Sequence, residues 1–430
     1  MSARSRYAAP RPALGALLLA AALAGCGSDD DDGAPAGPTP PYVTPVPVAG
    51  CESHSYAVCN VVDPACQTQW DALVGCLRGA PTGMGVPVRV ISEADFAAEL
   101  RQGGGEPHPN LPHWERALTL LELAVPGSFT SDEPSETYVT AVAAYYSFDD
   151  KAITVIDHGR PADGISVNVT FAHELVHAAQ DRELGLGAYR EAYAKSFDSS
   201  LSSDALVEGE AELYEVLVTA ALNGIDLARV DLPALLAART ELELDWAMAQ
   251  DSAYLAADLS FPYGPGGQYV YQAFAAGGPE AVRALFASPP STTRRVLQRD
   301  LGGADAAPVD FGAAPLVAGY ELMFEDVLGA FGVMLFGRNQ GPLAAQALVE
   351  PFRSDHLYIY GSPAGTALAW RLSFATPESG NTFMAKARAI VRSQAQVTRD
   401  AQGNVLVLKA SDDAGLAALV AAFEPPAPVP

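Results

Sequence analysis

Basic residues are scarce in this 430-residue sequence, which has 26 Lys and Arg against 51 Asp and Glu and a formal net charge of −25. This shortage argues against a nucleic-acid binder, because Lys and Arg side chains are what neutralise phosphates. Charged residues make up only 18% of the chain, whereas hydrophobic residues make up 49%. That apolar fraction excludes wholesale disorder, and the length suffices for one large domain or two to three smaller ones.

Long hydrophobic runs are missing as well. After residue 25 no segment is apolar and long enough to span a bilayer as a helix. One short apolar run, from Ala13 to Ala24, follows three arginines at positions 4, 6 and 11. It is too short for a stable transmembrane helix, and its basic flank is typical of a signal peptide.

The end of this run, Leu23-Ala24-Gly25-Cys26, resembles the lipobox of bacterial lipoproteins. The resemblance implies that residues 1–25 are a lipoprotein signal peptide and that Cys26 is lipidated after cleavage. The protein would then be exported and held on a bacterial membrane through its lipid anchor. Gly27 at the next position favours the outer membrane by resemblance to known sorting patterns, with the periplasmic and cell-surface faces both open. The alternative is an ordinary signal peptide with an incidental cysteine.

Residues 26–50 combine four consecutive aspartates at positions 29–32 with six prolines between positions 35 and 47. Such a composition buries too little apolar surface to fold, and the prolines keep the chain extended. We therefore expect a tether between the membrane and the folded part of the protein.

Cysteine is rare, and the five residues are an odd number. With Cys26 as the anchor, Cys51, Cys59, Cys66 and Cys76 remain, and two disulfides are the default in an oxidising compartment. We expect residues 51–80 to form a helical hairpin that pairs Cys51 with Cys76 and Cys59 with Cys66, although four cysteines allow three connectivities. A four-cysteine metal site is the alternative, but the spacings do not resemble short C-x₂₋₄-C ligand pairs.

Local patterns after Gly85 indicate a mixture of strands and helices. Predicted strands are Val86–Ile91, Tyr138–Tyr146 and Ala152–Ile156, the last two joined by a turn at residues 148–150. Predicted helices are Ser92–Arg101 and Trp114–Ala124.

The sequence His173-Glu174-Leu175-Val176-His177 matches the pattern H-E-x-x-H. Residues four apart on a helix share one face, so both imidazoles can bind one Zn²⁺, while Glu174 is rotated toward a water molecule on the metal. Apolar neighbours make this a buried helix, and Gly185 is its expected C-cap. The alternative is a core helix whose histidines are simply hydrogen-bonded.

A catalytic zinc usually has a third protein ligand. Glu208 and Glu212 lie four residues apart on another predicted helix and share a face, with Gly209 between them permitting close helix contact. One carboxylate can bind the metal while the other orients a ligating histidine. A solvated acidic helix is the alternative in so acid-rich a protein.

The segments H-E-L-V-H-A-A-Q-D and A-L-V-E-G-E-A resemble the gluzincin zinc metallopeptidases, in which a downstream helix supplies a glutamate ligand. The resemblance extends over roughly residues 140–395, and it includes the short segments F-P-Y-G at residues 261–264 and P-P-S-T at residues 289–292. It implies that His173, His177 and Glu208 bind zinc, that Glu174 is the general base, and that Glu212 orients a ligand. It also implies an α+β, helix-rich, zincin-like domain at residues 85–424.

The sequence thus predicts a membrane-anchored zinc metallopeptidase whose partner is a peptide or protein substrate, with no nucleic acid and no oligomeric state specified. In such an enzyme zinc activates a water, and Glu174 takes its proton and delivers it to the leaving amine. Tyr263, Tyr269 and Tyr271 are candidate donors to the oxyanion, with Tyr263 preferred for its place in F-P-Y. The alternatives are a non-catalytic binding or scaffold lipoprotein that retains the fold, and a zinc hydrolase of non-peptide amides.

Overall fold

The computed structural model describes most of the chain from residue 46 onward. The described residues are 46–47, 51, 55–81, 85–103, 111–128, 139–140, 142–159, 164–223, 225, 231–250, 252–302, 309–338, 342–363, 365–391 and 393–423. Residues 1–25, Cys26 and most of the predicted tether therefore lie outside the described part.

The fold is mixed α+β and rich in helix, as the sequence predicts. The helices are α1 Pro64–Arg78, α2 Glu93–Gly103, α3 Leu111–Leu120, α4 Ile165–Leu184, α5 Leu186–Tyr193, α6 Phe197–Leu222, α7 Leu232–Met248, α8 Ala253–Ser260, α9 Gly264–Leu285, α10 Thr293–Gln298, α11 Gly329–Arg338, α12 Pro342–Val349, α13 Pro377–Ile390 and α14 Asp413–Phe423. Helix α9 is broken at Gly277 and Gly278. Among the described helices, none has the length and apolarity needed to cross a membrane.

The strands form three sheets among the described residues. They are β1 Val46–Pro47, β2 Ser55–Tyr56, β3 Val88–Ser92, β4 Ala144–Ser147, β5 Ala152–Asp157, β6 Glu321–Asp326, β7 Phe352–Ser362, β8 Gly365–Phe374, β9 Ala395–Arg399 and β10 Val405–Ala410. The three-stranded sheet has the order β3-β5-β4, with β3 parallel and β4 antiparallel to the central β5. The five-stranded sheet has the order β6-β7-β8-β10-β9 and is antiparallel throughout.

The local predictions before the H-E-x-x-H helix are confirmed in part. Strand β5 and the turn at residues 148–150 are found where the sequence predicts them. The predicted strand Tyr138–Tyr146 is wrong in its first half, because residues 139–140 are helical and β4 begins only at Ala144. Val139 and Val142 are nevertheless buried in a small cluster around Phe96, so their apolar pattern reports burial and not strand geometry.

The four-cysteine segment differs from the predicted helical hairpin. Its second half is helix α1, which begins with Asp63 as N-cap and a proline at N1, as expected. The described residues of its first half contain no helix, and β2 pairs there with β1. The physical reason is that Cys59 uses both its backbone N–H and its C=O on the side chain of Asn168, which leaves neither group for a helical turn.

The sulfur atoms of the four cysteines lie in the two predicted pairs. Sγ of Cys51 is 2.10 Å from Sγ of Cys76, and Sγ of Cys59 is 2.01 Å from Sγ of Cys66. This pairing is one of the three connectivities that the sequence allows. Each of these sulfurs is bonded to another sulfur in a disulfide. The four described cysteines therefore do not form the four-cysteine metal site considered as the alternative.

Helices α4, α6 and α9 pack closely and carry the predicted site residues. Helix α4 is buried from Asn168 to Asp181 and ends at Gly185, whose φ of 65° confirms it as the C-cap. Helices α6 and α9 approach so closely that a Cβ on Gly209 would lie 2.5 Å from the backbone carbonyl carbon of Gly266. This contact confirms the role predicted for Gly209 and fixes α6 against the start of α9.

Replacing Gly266 by Ala should destabilise the protein by at least about 1–3 kcal/mol, because the new methyl group would overlap the carbonyl oxygen of Ala205 and push α9 away from α6. The measurement is the midpoint of urea unfolding. Gly187→Ala is the matched control: Gly187 is exposed on α5, nothing lies within 4 Å of its added methyl group, and stability should be unchanged or higher by up to about 1 kcal/mol. Equal midpoints for the two variants would contradict this packing argument.

Candidate metal centre

Two long buried helices bring the predicted ligands together. His173, Glu174 and His177 project from α4, and Glu208 projects from α6; all four are at most 5% exposed. Burial follows from the sequence, since Ala172, Leu175, Val176 and Ala178 around the histidines are apolar and belong to one core cluster. The spacing of four residues places both imidazoles on the face of α4 that α6 covers.

Three ligand atoms converge at one point. Nε2 of His177 lies 3.0 Å from Oε2 of Glu208, and Nε2 of His173 lies 3.5 Å from the same oxygen. The two Nε2 atoms lie 3.1 Å apart. The structure therefore unites the three residues that the sequence predicts as metal ligands, although more than 30 positions separate Glu208 from the histidines in sequence.

The opposite nitrogen of His173 is occupied by an acid that the sequence analysis did not identify. Nδ1 of His173 lies 2.9 Å from Oε2 of Glu215, on α6. A carboxylate can only accept, so Nδ1 carries a hydrogen, and in the neutral imidazole the Nε2 lone pair is directed toward Glu208 and His177. Glu215 is fully buried, and it holds His173 in the tautomer that a metal ligand requires.

His177 is oriented by an amide instead of an acid. Its Nδ1 lies 2.9 Å from Oε1 of Gln180, one turn further along α4. The amide nitrogen of Gln180 donates to the backbone oxygen of Val207 at 2.9 Å and to Glu210 at 2.8 Å, so its oxygen must face His177. Nδ1 of His177 therefore also donates, and its Nε2 also directs a lone pair into the centre.

The donor set fits a zinc ion. Two imidazole nitrogens and one carboxylate oxygen face one another in a buried space, where either a proton or a bound cation satisfies them. Burial lowers the pKa of His173, but the neighbouring carboxylates of Glu208 and Glu215 raise it well above the ordinary value, so these carboxylates favour positive charge at this point. Two histidines and one glutamate are a known ligand set of catalytic zinc.

Glu174 lies beside this cluster and is held by the neighbouring sheet. Its Oε2 accepts the backbone N–H of Tyr146, on β4, at 2.8 Å. Burial raises the pKa of Glu174 to about 7, although the nearby histidines 177 and 173 act in the opposite direction. A carboxyl group with a pKa near neutrality is suited to accept and return a proton.

Asp181 fixes the strand that holds Glu174. The hydroxyl of Tyr146 donates to Oδ2 of Asp181 at 2.9 Å, and Nζ of Lys151 lies 2.6 Å from the same oxygen. The two residues of the Gln-Asp pair after the H-E-x-x-H pattern, Gln180 and Asp181, thus make different contacts in the structure. Gln180 orients a candidate ligand, and Asp181 holds β4 at the site.

Tyr263 lies close to the candidate ligands. Its ring centroid is 6.0 Å from that of His173 with an interplanar angle of 30°, and the residue is 1% exposed. It precedes α9, which packs on α6, so the helix contact at Gly209 and Gly266 also places this tyrosine. Tyr263, the tyrosine preferred from the sequence, thus has a ring contact to a candidate ligand.

Glu215 makes the contact to Nδ1 of His173, and the orienting role predicted for Glu212 stays a prediction. Glu212 does lie near the centre, since its carboxylate, that of Glu215 and a nitrogen of His173 are all within 4.8 Å of one another. Its Oε1, however, accepts from Nη1 of Arg239, on α7, while burial raises its pKa to about 8 against the effect of that arginine. Glu215 is seven residues after Glu208 and so lies almost in line with it along α6, a repeat that the sequence displays.

Arg190 is a second residue that the sequence analysis did not identify. Its Nη2 donates to Oε1 of Glu208 at 3.0 Å, and its Nε lies 3.1 Å from Oδ1 of Asp204. The guanidinium therefore holds one oxygen of Glu208 and leaves Oε2 directed at the histidines. Burial raises the pKa of Glu208, but His177 and His173 together with Arg190 hold it well below the ordinary value.

Replacing Glu215 by Leu should weaken zinc binding by about 10–100-fold, the usual effect of losing a hydrogen-bond partner behind a ligating histidine. Leu has a similar volume but cannot accept from Nδ1 of His173. Glu215→Gln is the matched control, since its amide oxygen can still accept and the loss should be smaller. Competition with a metal-sensitive dye measures both affinities, and equal affinities for the Leu variant and the wild type would contradict the assigned role.

The chain matches no family model, no curated protein and no solved structure.

Proposed function

We propose that this protein is a zinc-dependent metallopeptidase in which His173, His177 and Glu208 hold the metal. The observation that carries the proposal is the convergence of three lone-pair atoms in a buried space, with the hydrogen-bearing Nδ1 atoms held by Glu215 and Gln180. When bound, zinc supplies a Lewis acid that polarises the scissile carbonyl and makes a water nucleophilic at neutral pH.

Glu174 is the general base in this proposal. One of its oxygens is held by the backbone N–H of Tyr146, so the carboxylate is fixed in direction. It accepts a proton from the attacking water and returns it to the leaving amine. Tyr263, beside His173, is the proposed donor to the oxyanion.

The proposed substrate is a peptide in extended conformation. Strand β4 lies at an edge of the three-stranded sheet in the described part of the chain, and it is the strand whose Tyr146 contacts Glu174. A peptide that adds to such an edge gains main-chain hydrogen bonds and brings a peptide bond alongside the base. These features support a peptidase over a hydrolase of small non-peptide amides, which has no need of a strand edge.

The proposed location is the surface of a bacterial membrane, with the lipid anchor on Cys26 and residues 26–50 as the tether. The lipobox-like sequence supports the anchor. The pairing of Cys51 with Cys76 and of Cys59 with Cys66 supports export, because disulfides persist in oxidising compartments. Gly27 favours the outer membrane.

A peptide library incubated with the purified protein tests the function, with cleavage products read by mass spectrometry. We expect cleavage that is lost with a zinc chelator and restored by stoichiometric zinc. Cleavage that persists in the chelator would contradict the proposal. A protein that binds zinc with high affinity but cuts no member of the library would favour the scaffold lipoprotein, although a pure binding protein has no need of Glu174.

A further inference from the structure

Arg78 links the four-cysteine segment to both helices of the candidate metal centre. It is the last residue of α1, two positions after Cys76, and its side chain is 1% exposed. Its Nε donates to Oε1 of Glu210 at 3.0 Å, and Nη1 and Nη2 donate to the two oxygens of Glu183 at 2.9 and 3.0 Å. Glu210 lies on α6 and Glu183 on α4, so one guanidinium ties together the two helices that carry the ligands.

A chain of hydrogen bonds continues from Arg78 to His177. Oε2 of Glu210 accepts from Nε2 of Gln180 at 2.8 Å, and Oε1 of Gln180 accepts from Nδ1 of His177 at 2.9 Å. Glu210 is fully buried, and its two oxygens accept from Nε of Arg78 and from Nε2 of Gln180. The amide of Gln180 must therefore turn its nitrogen to Glu210 and its oxygen to His177.

The orientation of Gln180 decides which nitrogen of His177 can bind a metal. With the amide oxygen at Nδ1, the hydrogen stays on Nδ1 and the Nε2 lone pair is free for the centre. Without Arg78 the carboxyl group of Glu210 loses the donor that holds its Oε1, so its Oε2 is no longer fixed as the acceptor for the amide nitrogen of Gln180. An amide that is held less firmly also holds Nδ1 of His177 less firmly, and the Nε2 lone pair is then directed less consistently into the centre.

A second attachment joins the same segment to α4 near its beginning. Oδ1 of Asn168 accepts from Nε1 of Trp70 at 2.8 Å and from the backbone N–H of Cys59 at 3.1 Å. Nδ2 of Asn168 donates to the backbone oxygen of Cys59 at 2.9 Å. Asn168 is fully buried, and the apolar residues of α1 share one core cluster with those of α4 and α6. The four-cysteine segment is thus built into the body that carries the ligands.

We infer that the four-cysteine segment is part of the metal centre, and that Arg78 is a positioning residue which sets the metal affinity of His177 through Glu210 and Gln180. The inference rests on the proposed zinc site, and it adds the means by which a segment about 100 residues upstream in sequence controls a ligand. In this inference the four-cysteine segment controls the metal affinity of His177 in addition to stabilising the fold.

The test compares the full-length protein with its Arg78→Met variant. Met fills similar space but cannot donate to Glu210 or Glu183. The readouts are the zinc dissociation constant, measured by chelator competition, and the visible absorption spectrum of the Co²⁺-substituted protein. We expect zinc affinity to fall by about 10–100-fold, as for other partners behind a metal ligand, together with a changed Co²⁺ spectrum.

Arg338→Met is the matched control for a general effect of losing a buried arginine. The side chain of Arg338 is 3% exposed and pairs with Glu241 and Asp245, which both lie on α7 and not on the ligand-bearing helices α4 and α6. This variant should lower the midpoint of urea unfolding while leaving zinc affinity and the Co²⁺ spectrum as in the wild type. Arg78→Lys keeps the charge beside Glu210 and should retain the fold, with an affinity loss smaller than that of Arg78→Met.

The outcomes separate the two proposals. The positioning role would be overturned if the wild-type protein binds zinc and a folded Arg78→Met or Arg78→Lys variant binds zinc as tightly as the wild type. The proposed metal site would then remain intact. Equal losses of zinc affinity in Arg78→Met and Arg338→Met would also overturn the positioning role. The loss of affinity would then result from a lower stability of the folded protein and not from the position of Arg78. A wild-type protein that binds no zinc would overturn the proposed function and this inference together.

Discussion

Glu174→Gln should lower peptide hydrolysis by about 10²–10⁴-fold, the usual contribution of a general base, while zinc remains bound at the wild-type stoichiometry. The reason lies in the geometry of the site. Glu174 belongs to α4 with the histidines, but its carboxylate is held by the backbone N–H of Tyr146 and contacts none of the three candidate ligands in the described hydrogen bonds. Gln preserves the volume and the accepted hydrogen bond and removes only the capacity to take a proton.

The matched control for this variant is Glu115→Gln. Glu115 is also buried, and it also accepts a backbone N–H at 2.8 Å, from Gly127. Its replacement reproduces the loss of a buried charge at a place outside the site, so activity should stay near that of the wild type. Steady-state hydrolysis and metal content are measured on the same preparations. Full activity in a zinc-loaded Glu174→Gln protein would contradict the assigned base.

Glu208→Gln should lower zinc affinity by more than about 100-fold, which exceeds the loss expected from removing a partner behind a ligand. The carboxylate oxygen of Glu208 is the charged member of the converging set, 3.0 Å from Nε2 of His177 and 3.5 Å from Nε2 of His173. The neutral amide of Gln attracts a divalent cation far less, and its nitrogen would meet the guanidinium of Arg190 if its oxygen faced the metal. Chelator competition measures the affinity.

Asp204→Asn provides the control for Glu208→Gln. Asp204 is buried on the same helix and pairs with the same arginine, at 3.1 Å from its Nε. Asn at this position disturbs Arg190 without touching a candidate ligand, so zinc affinity should change by much less than in Glu208→Gln. If both variants lost zinc equally, the loss would have to be assigned to Arg190 and not to ligation by Glu208.

The parts of the site that follow from local periodicity were predictable from the sequence. Four-residue spacing places His173 and His177 on one face of a helix in any helical context, and an acid on a second buried helix is the natural third ligand. Gly209 and Gly185 were also predictable, because close helix contact and helix termination each favour glycine.

The parts that depend on how separate elements meet were not predictable. Glu212 and Glu215 are both glutamates near His173 on the same helix, and only the structure shows that Arg239, on a different helix, binds Glu212 while Glu215 contacts Nδ1 of His173. No sequence motif marks Arg78, and only the packing of α1 on the body shows its partners. The predicted helix in the first half of the four-cysteine segment failed for a similar reason, since the side chain of Asn168 binds the backbone of Cys59.

The most direct test of the account is anomalous diffraction at the zinc edge from crystals of the zinc-loaded protein. The account predicts one peak per chain at about 2.0–2.2 Å from Nε2 of His173, Nε2 of His177 and a carboxylate oxygen of Glu208. A zinc-loaded crystal with no peak at these three residues, or with its peak at the four cysteines instead, would contradict it.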